Sequence, residues 1–284
     1  MVRSKTVNIL ELDVLIGLGS LVAGFLGALT GLGGGIVITP LLTVLFGVDI
    51  RYAIGAALVS VIATSSGAAA AYVKEGFTNI RIGMFLEIAT TVGAVVGASV
   101  ASRLPATIIS IIFGVVLLLS AYASTRPAPQ ISSEGEPNRL AGLLKLDSTY
   151  PTLRGVETYH VRGVPTGFSL MFVAGTLSGL LGIGSGALKV IAMDQAMRVP
   201  FKVSTTTSNF MIGVTAAASA GVYLQRGYID PGLTMPVMLG VALGALLGAR
   251  VLARTRTAKL RVIFGIVVAV LAFEMIYHGV TGRL

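Results

Sequence analysis

Residues 24–35 read GFLGALTGLGGG, and residues 175–186 read GTLSGLLGIGSG. They match at Gly24, Leu26, Leu29, Gly31, Gly33 and Gly35 against Gly175, Leu177, Leu180, Gly182, Gly184 and Gly186, a constant shift of 151 positions. Working outward, the same shift pairs Tyr72 with Tyr223, Gly76 with Gly227, Gly93 with Gly244, Gly97 with Gly248, Arg103 with Arg254 and Phe113-Gly114 with Phe264-Gly265. No gap interrupts the overlap from residue 24 to residue 123, so the chain is a tandem duplication. A long apolar repeat built on glycines is the signature of a membrane transporter made of two related halves.

Composition excludes a water-soluble domain. Of 284 residues, 54% are hydrophobic and 12% charged, and the mean hydropathy is +0.89. That leaves too little polar surface to coat a globule in water, and places the chain in a lipid bilayer. There is no cysteine, hence no disulfide framework or thiolate metal site, and His160 and His278 lie far apart in sequence, so no metal is expected. The net charge of +9 comes from Lys and Arg lying between apolar segments, a pattern that reports topology and not a nucleic-acid partner. Arg3 and Lys5 ahead of an apolar run resemble a signal peptide, but the first repeat starts by Gly24, so this segment is read as part of the fold.

Apolar stretches run over roughly 12–47, 52–74, 80–101, 105–123, 161–199, 202–225, 231–252 and 257–279. Six suit a single helix, since about 20 residues cross the hydrocarbon core. The first and fifth are too long, and each is broken by its glycine run, Gly31 to Gly35 or Gly182 to Gly186. Read as single kinked crossings, they leave the basic residues almost evenly divided between the two faces. Read as hairpins that return to their own side, one face carries Arg3, Lys5, Arg51, Arg103, Arg226 and Arg283. The other then carries Lys74, Arg81, Arg126, Arg139, Lys145, Arg154, Arg162, Arg198, Lys202, Arg250, Arg254, Arg256, Lys259 and Arg261. That imbalance obeys the positive-inside rule, so hairpins are expected, with a cytoplasmic 124–160 loop and outward-facing termini.

The expected fold is therefore an all-α polytopic membrane protein of roughly 8–10 membrane segments. Residues 1–123 form the first repeat, 124–160 a polar connecting loop and 161–284 the second repeat. A hairpin beside three crossings gives each half an odd number of spans, so the second half enters from the opposite side. The loop opens with Pro127, Pro129 and Pro137 as a linker and turns β-favouring around Tyr150 to Val164. It is read as a connector between the halves, with a cap over the cytoplasmic mouth as the alternative.

The short helices after the glycine runs, about 36–47 and 187–199, would begin with unpaired N–H groups and the positive end of a helix dipole. Glycines let a ligand approach that backbone, so Gly33, Gly34 and Gly35 in one half and Gly184, Ser185 and Gly186 in the other form candidate anion cradles. The alternative is that such glycines only let helices pack closely. Lys189 is the basic residue placed well inside an apolar segment. A cation in hydrocarbon costs roughly 2.5–3.5 kcal/mol on insertion scales, so it is assigned to ligand contact, with a buried pair to Glu87 as the competing reading. Neither charge is duplicated, because their mates are Ile38 and Met238. The polar run Ser204 to Asn209 offers hydroxyl and amide donors, with Thr205 and Asn209 the chosen contacts, although such groups also bond their own helix. Glu87 is the candidate proton carrier, while Asp13 and Glu274 near segment ends are read as interfacial.

The paired glycine runs, the turn carrying Lys189, the stretch STTTSNFMIGVT from Ser204 to Thr215 and the sequence from Tyr223 through Gly227 to Asp230 resemble the TauE/SafE sulfite-exporter-like permease family. The resemblance covers nearly the whole chain outside the 124–160 loop. It implies a small sulfur-containing anion such as sulfite or an organosulfonate as substrate. Ser185, where the first half has Gly34, departs from the glycine pattern and adds a hydroxyl.

Together these features give a secondary transporter of small sulfur-containing anions in the plasma membrane, read as a prokaryotic inner membrane, working by alternating access. A proton is the candidate coupling ion, and a homo-oligomer is left open. The alternatives are a passive anion channel or a carrier of another small organic anion. No cofactor is implied. With no G-x-x-x-x-G-K-[ST] loop and no nucleophile–base constellation in the membrane segments, the chain is not read as an enzyme.

Overall fold

The computed structural model describes residues 9–30, 35–74, 76–125, 139–152, 155–252 and 257–282. The first half contains α1 (Ile9–Thr30), a short arm α2 (Gly35–Pro40, prolonged as a π-helix over Leu41–Leu45), α3 (Ile50–Lys74), α4 (Ile80–Ala101) and α5 (Ala106–Thr125). A small subdomain follows, with α6 (Arg139–Leu143) and the strands β1 (Ser148–Thr152) and β2 (Gly155–Tyr159). The second half contains α7 (Val164–Leu181), the arm α8 (Gly186–Ile191, prolonged over Ala192–Ala196), α9 (Phe201–Gln225), α10 (Pro231–Leu252) and α11 (Thr257–Thr281). The bounds of α3 and α4 recur in α9 and α10 at the 151-residue shift found in the sequence.

Local chemistry recurs with the bounds. Asn79 caps α4 by accepting the Ile82 N–H at 3.0 Å, and its mate Asp230 accepts the Leu233 N–H at 3.0 Å at the start of α10. The turns after α3 and α9 use Gly76 at φ +73 and Gly227 at φ +74, a left-handed conformation that glycine adopts without a Cβ clash. Both arms also relax into π-helix at matching positions.

The two halves interlock. Helix α1 lies along α10 and α4 along α7, each pair parallel, since Gly17 and Leu21 of α1 meet Gly240 and Gly244 while Thr90 and Ala94 of α4 meet Gly175 and Gly179. A side chain at Gly24 would strike the Val241 carbonyl, and one at its mate Gly175 would strike the Thr90 carbonyl. Thr90 and Val241 are themselves mates, so these glycines let backbones touch in a symmetric pair of contacts.

The mates α3 and α9 run antiparallel. Gly55 near the start of α3 packs on Tyr228 beyond the end of α9, Ser65 faces Gly213, and the Asn79 N–H donates to Thr207 near the start of α9 at 3.0 Å. The mates α5 and α11 do the same: Thr107 meets Gly279, Ser110 donates to the Met275 carbonyl at 3.0 Å, and Gly114 meets Ala272. Corresponding helices thus point in opposite directions, and exchanging the halves preserves the main helix pairings.

The second long stretch folds back on itself. Arg162 at the start of α7 donates its N–H to the Met197 carbonyl at the end of the arm at 3.0 Å, and Gly163 and Gly167 abut Ala196 and Met197. In the first half Gly19 of α1 faces Leu41 and Phe46 in the same manner. Each arm therefore returns to the side from which its hairpin entered. The 11-residue arm Gly35–Leu45 is about 16 Å long, roughly half of a hydrocarbon core. Among the described residues, Ile80–Ala101, Val164–Leu181 and Pro231–Gly248 are long and apolar enough to cross a bilayer, and Ile50–Ser66, Ala106–Tyr122 and Gly265–Thr281 are shorter apolar helices.

The segment read as linker and β-favouring chain contains the antiparallel hairpin β1–β2, paired from Ser148 with Tyr159 to Thr152 with Gly155. Its Tyr159 is buried, and the Asn79 amide donates to the Tyr159 hydroxyl at 2.7 Å and to the Leu146 carbonyl at 2.9 Å. Ala141, Leu146, Tyr159 and Val161 share one apolar cluster with Ile82 and Leu86 of α4, Met193 and Met197 of the second arm, and Val203 of α9. The subdomain is packed onto the end of the bundle where α4 and α9 begin.

Candidate functional site

The second hairpin tip and the first residue of the first arm converge on the α3–α9 crossing. Gly182, at φ +69, ends α7 and lies against Ile54 of α3, and Gly184, also at φ +69, fits between Val61 of α3 and Ile212 of α9. A Cβ at Gly35, the first residue of the other arm, would sit 2.7 Å from Val61 and 2.9 Å from the Gly182 carbonyl oxygen. Residues at that crossing must therefore be small for the two interrupted hairpins to meet. Gly33 and Gly34 lie outside the described residues. Ser185 takes the left-handed conformation at φ +46, unusual for a residue with a side chain, and its buried hydroxyl has no hydrogen-bond partner. Gly186 opens the arm with its carbonyl accepting from Ser208 at 3.1 Å.

Lys189, one turn into this arm, is fully buried. Its ammonium donates to the Thr215 hydroxyl of α9 at 2.5 Å, and Thr215 donates to Glu87 Oε1 of α4 at 2.6 Å. Thr91 also donates to Oε1, at 3.2 Å, whereas the second oxygen, Oε2, is buried without a partner. Sequence pairing of Lys189 with Glu87 is thus realised through an intervening hydroxyl. Burying an ammonium and a carboxylate together offsets the charge of each, but the orphaned oxygen keeps part of the desolvation cost uncompensated.

The positions expected from the polar run divide. Thr205 donates to its own Phe201 carbonyl at 2.9 Å, the back-bonding common to Thr in helices, and Asn209 is half-buried one residue beyond Ser208. Ser208 and Thr215, which the sequence reading did not select, are members of this helix whose side chains hydrogen-bond to the arm. Their signal was spacing: Ser204, Ser208, Met211 and Thr215 follow the i, i+4, i+7, i+11 pattern of a single helical stripe, and all are buried.

The pseudo-symmetric position in the first half is apolar. Ile38, Met238 and Thr64 correspond to Lys189, Glu87 and Thr215, and Thr64 returns its hydroxyl to the Ser60 carbonyl at 3.1 Å. The duplicated scaffold thus carries a charged constellation on one side only.

The family model described as Sulfite exporter TauE/SafE matches residues 16–275. A protein named probable membrane transporter protein YunE from Bacillus subtilis (strain 168) is 29% identical over 276 residues, covering 94% of this chain and 98% of its own. YdhB of the same organism, also named a probable membrane transporter protein, is 28% identical over 231 residues, covering 81% and 84%. A probable membrane transporter protein of Xylella fastidiosa (strain 9a5c) is 27% identical over 277 residues, covering 96% and 97%. No solved structure matches. The chain belongs to the Sulfite exporter TauE/SafE family.

Proposed function

We propose that this TauE/SafE protein is a membrane transporter that carries a small sulfur-containing anion, sulfite or an organosulfonate, across the plasma membrane by alternating access. The observation that carries the reading is the antiparallel packing of α3 on α9, with the second hairpin tip and Gly35, which opens the first arm, at their crossing. If α3 and α9 cross the bilayer, corresponding helices enter it from opposite faces, and rocking one half against the other exposes a shared central point alternately to each side. In this reading eight long helices and two half-length arms make up the membrane region, and the subdomain of 139–162 faces the cytoplasm.

The anion would bind at the second tip. Backbone N–H groups opening the arm from Gly186, the hydroxyl of Ser185 and the Lys189 ammonium supply donors and positive charge, with Gly35 and Gly184 leaving room for close approach. Gly33, Gly34, Thr205 and Asn209 complete the proposed lining, and Glu87 is the proposed proton site. Unwound backbone at membrane depth is tolerated where protein surrounds it, which fits the second tip, where Ile183 and Ser185 are buried.

The test is a thermal-shift screen of the purified protein with sulfite, sulfate, thiosulfate, sulfoacetate and simple carboxylates. A sulfur oxyanion is expected to stabilise the protein, and Lys189→Met and Asn209→Ala are expected to abolish or sharply weaken that shift. Unchanged shifts in both variants would remove the two residues from the site. In liposomes the carrier reading requires accelerated exchange of labelled against unlabelled anion and saturation with concentration; flux that shows neither would favour a channel.

A further inference from the structure

We infer that Thr215 is a positioning residue that makes proton binding at Glu87 and anion binding at Lys189 mutually favourable, so that one proton accompanies each anion. This rests on the anion-transport reading above and gives it a direction of coupling. Thr215 has one hydroxyl proton and two acceptors for it, Glu87 Oε1 at 2.6 Å and the Met211 carbonyl at 3.0 Å. With Glu87 ionised, that proton points to the carboxylate while the oxygen accepts from Lys189, and the three groups form a closed, charge-compensated chain. Lys189 then has little unspent attraction for an anion.

A proton arriving from water adds at Oε2, the oxygen left without a partner. Neutral Glu87 no longer compensates the ammonium, and Thr215 is released to turn its hydroxyl toward Met211. The buried charge of Lys189 is now uncovered, and an anion at the adjacent tip replaces the carboxylate as its counter-charge. An anion that occupies Lys189 first leaves the carboxylate uncompensated and draws in the proton, because linkage of two binding events is reciprocal. One proton and one anion enter together, so a monovalent anion would cross as a neutral pair.

Among the described residues, nothing else around Glu87 offers the same link. Among the described residues, Lys189 is the charged group whose field acts on it. Helix α7, packed along α4, has no titratable side chain. The charge at the start of α9, Lys202, lies over the Phe77 ring at 3.7 Å, and Arg81 at the start of α4 is exposed and reaches the Lys145 carbonyl. Asp194 is buried in the arm more than a turn beyond Lys189.

Proton uptake on adding methanesulfonate or sulfite to the purified full-length protein in weak buffer, followed with a pH dye, tests the inference. Wild type should take up about one proton per anion bound beyond any uptake by Glu87→Gln, a difference that cancels protonation of the probe itself. Its apparent affinity should rise as pH falls, approaching about tenfold per unit. Thr215→Val should lose this extra uptake and Thr215→Ser should recover it, whereas a merely structural threonine would alter stability and leave the stoichiometry alone. Anion binding with no extra uptake, with proton release, or with uptake retained in Thr215→Val overturns the inference and leaves the anion reading standing. Failure of wild type to bind either probe overturns both. If Thr215→Val does not fold, equal uptake by wild type and Glu87→Gln still refutes the coupling.

Discussion

The charged chain at the second tip makes a quantitative prediction about stability. Two successive hydrogen bonds, of 2.5 and 2.6 Å, join Lys189 to Glu87 through Thr215. They hold the two charges at most about 5 Å apart, where unit charges interact by at least about 3 kcal/mol at an effective dielectric near 20. Removing one partner also leaves the other charge buried alone, which in proteins costs about 3–5 kcal/mol. Lys189→Met and Glu87→Gln should each destabilise by that order, and the double variant should lose about 2–3 kcal/mol less than the two losses added together. Reversible unfolding in mixed detergent and dodecyl sulfate micelles measures all four proteins on one scale. Additivity to within about 0.5 kcal/mol would mean that the residues do not sense each other, and the chain through Thr215 would have to be abandoned.

Two further outcomes follow from the packing and from the subdomain. Gly175→Ala should destabilise by about 1–3 kcal/mol, because the new Cβ would sit 2.7 Å from Thr90 Cα and backbone would have to move. Gly221→Ala, in a helix with nothing near its Cβ, should be neutral or stabilising by up to about 1 kcal/mol; equal behaviour in unfolding assays would refute the close α4–α7 contact. Burial raises the Tyr159 phenol from 10.0 to about 12. The folded state therefore favours the neutral phenol, so its contribution is intact below pH 10 and is lost as pH climbs toward 12. Tyrosinate absorbance should show a late-titrating component that Tyr159→Phe lacks, coinciding with faster proteolysis of residues 139–162; a single step near 10 in both proteins would contradict the docked arrangement.

Much of the fold was legible because lipid and glycine leave periodic marks. The 151-residue shift recurs at both ends of the arms and of the α3/α9 and α4/α10 pairs, and the glycine runs predicted that α1 and α7 would stop where they do. The expected arms at 36–47 and 187–199 appear at Gly35–Leu45 and from Gly186 to Ala196, within the few residues by which helix ends ordinarily differ. Lys189 and Glu87 stood out because charge in an apolar run is expensive. Thr215 did not, since a hydroxyl in a membrane helix costs little and satisfies itself on its own backbone.

By itself, then, the sequence determined duplication, helical membrane character, the interrupted hairpins and the two unduplicated charges. Each of these is written in local composition or in residues a fixed distance apart along the chain. Only the tertiary structure decided that α3 meets α9 head to tail, that Gly35 touches Gly182, that the 139–162 subdomain seats on Asn79, and that Thr215 stands between Lys189 and Glu87. Those contacts join residues up to 173 positions apart, as Gly55 and Tyr228 are, where no periodicity acts, and they are selected by which small residues let two backbones approach and which buried polar atoms then find one another.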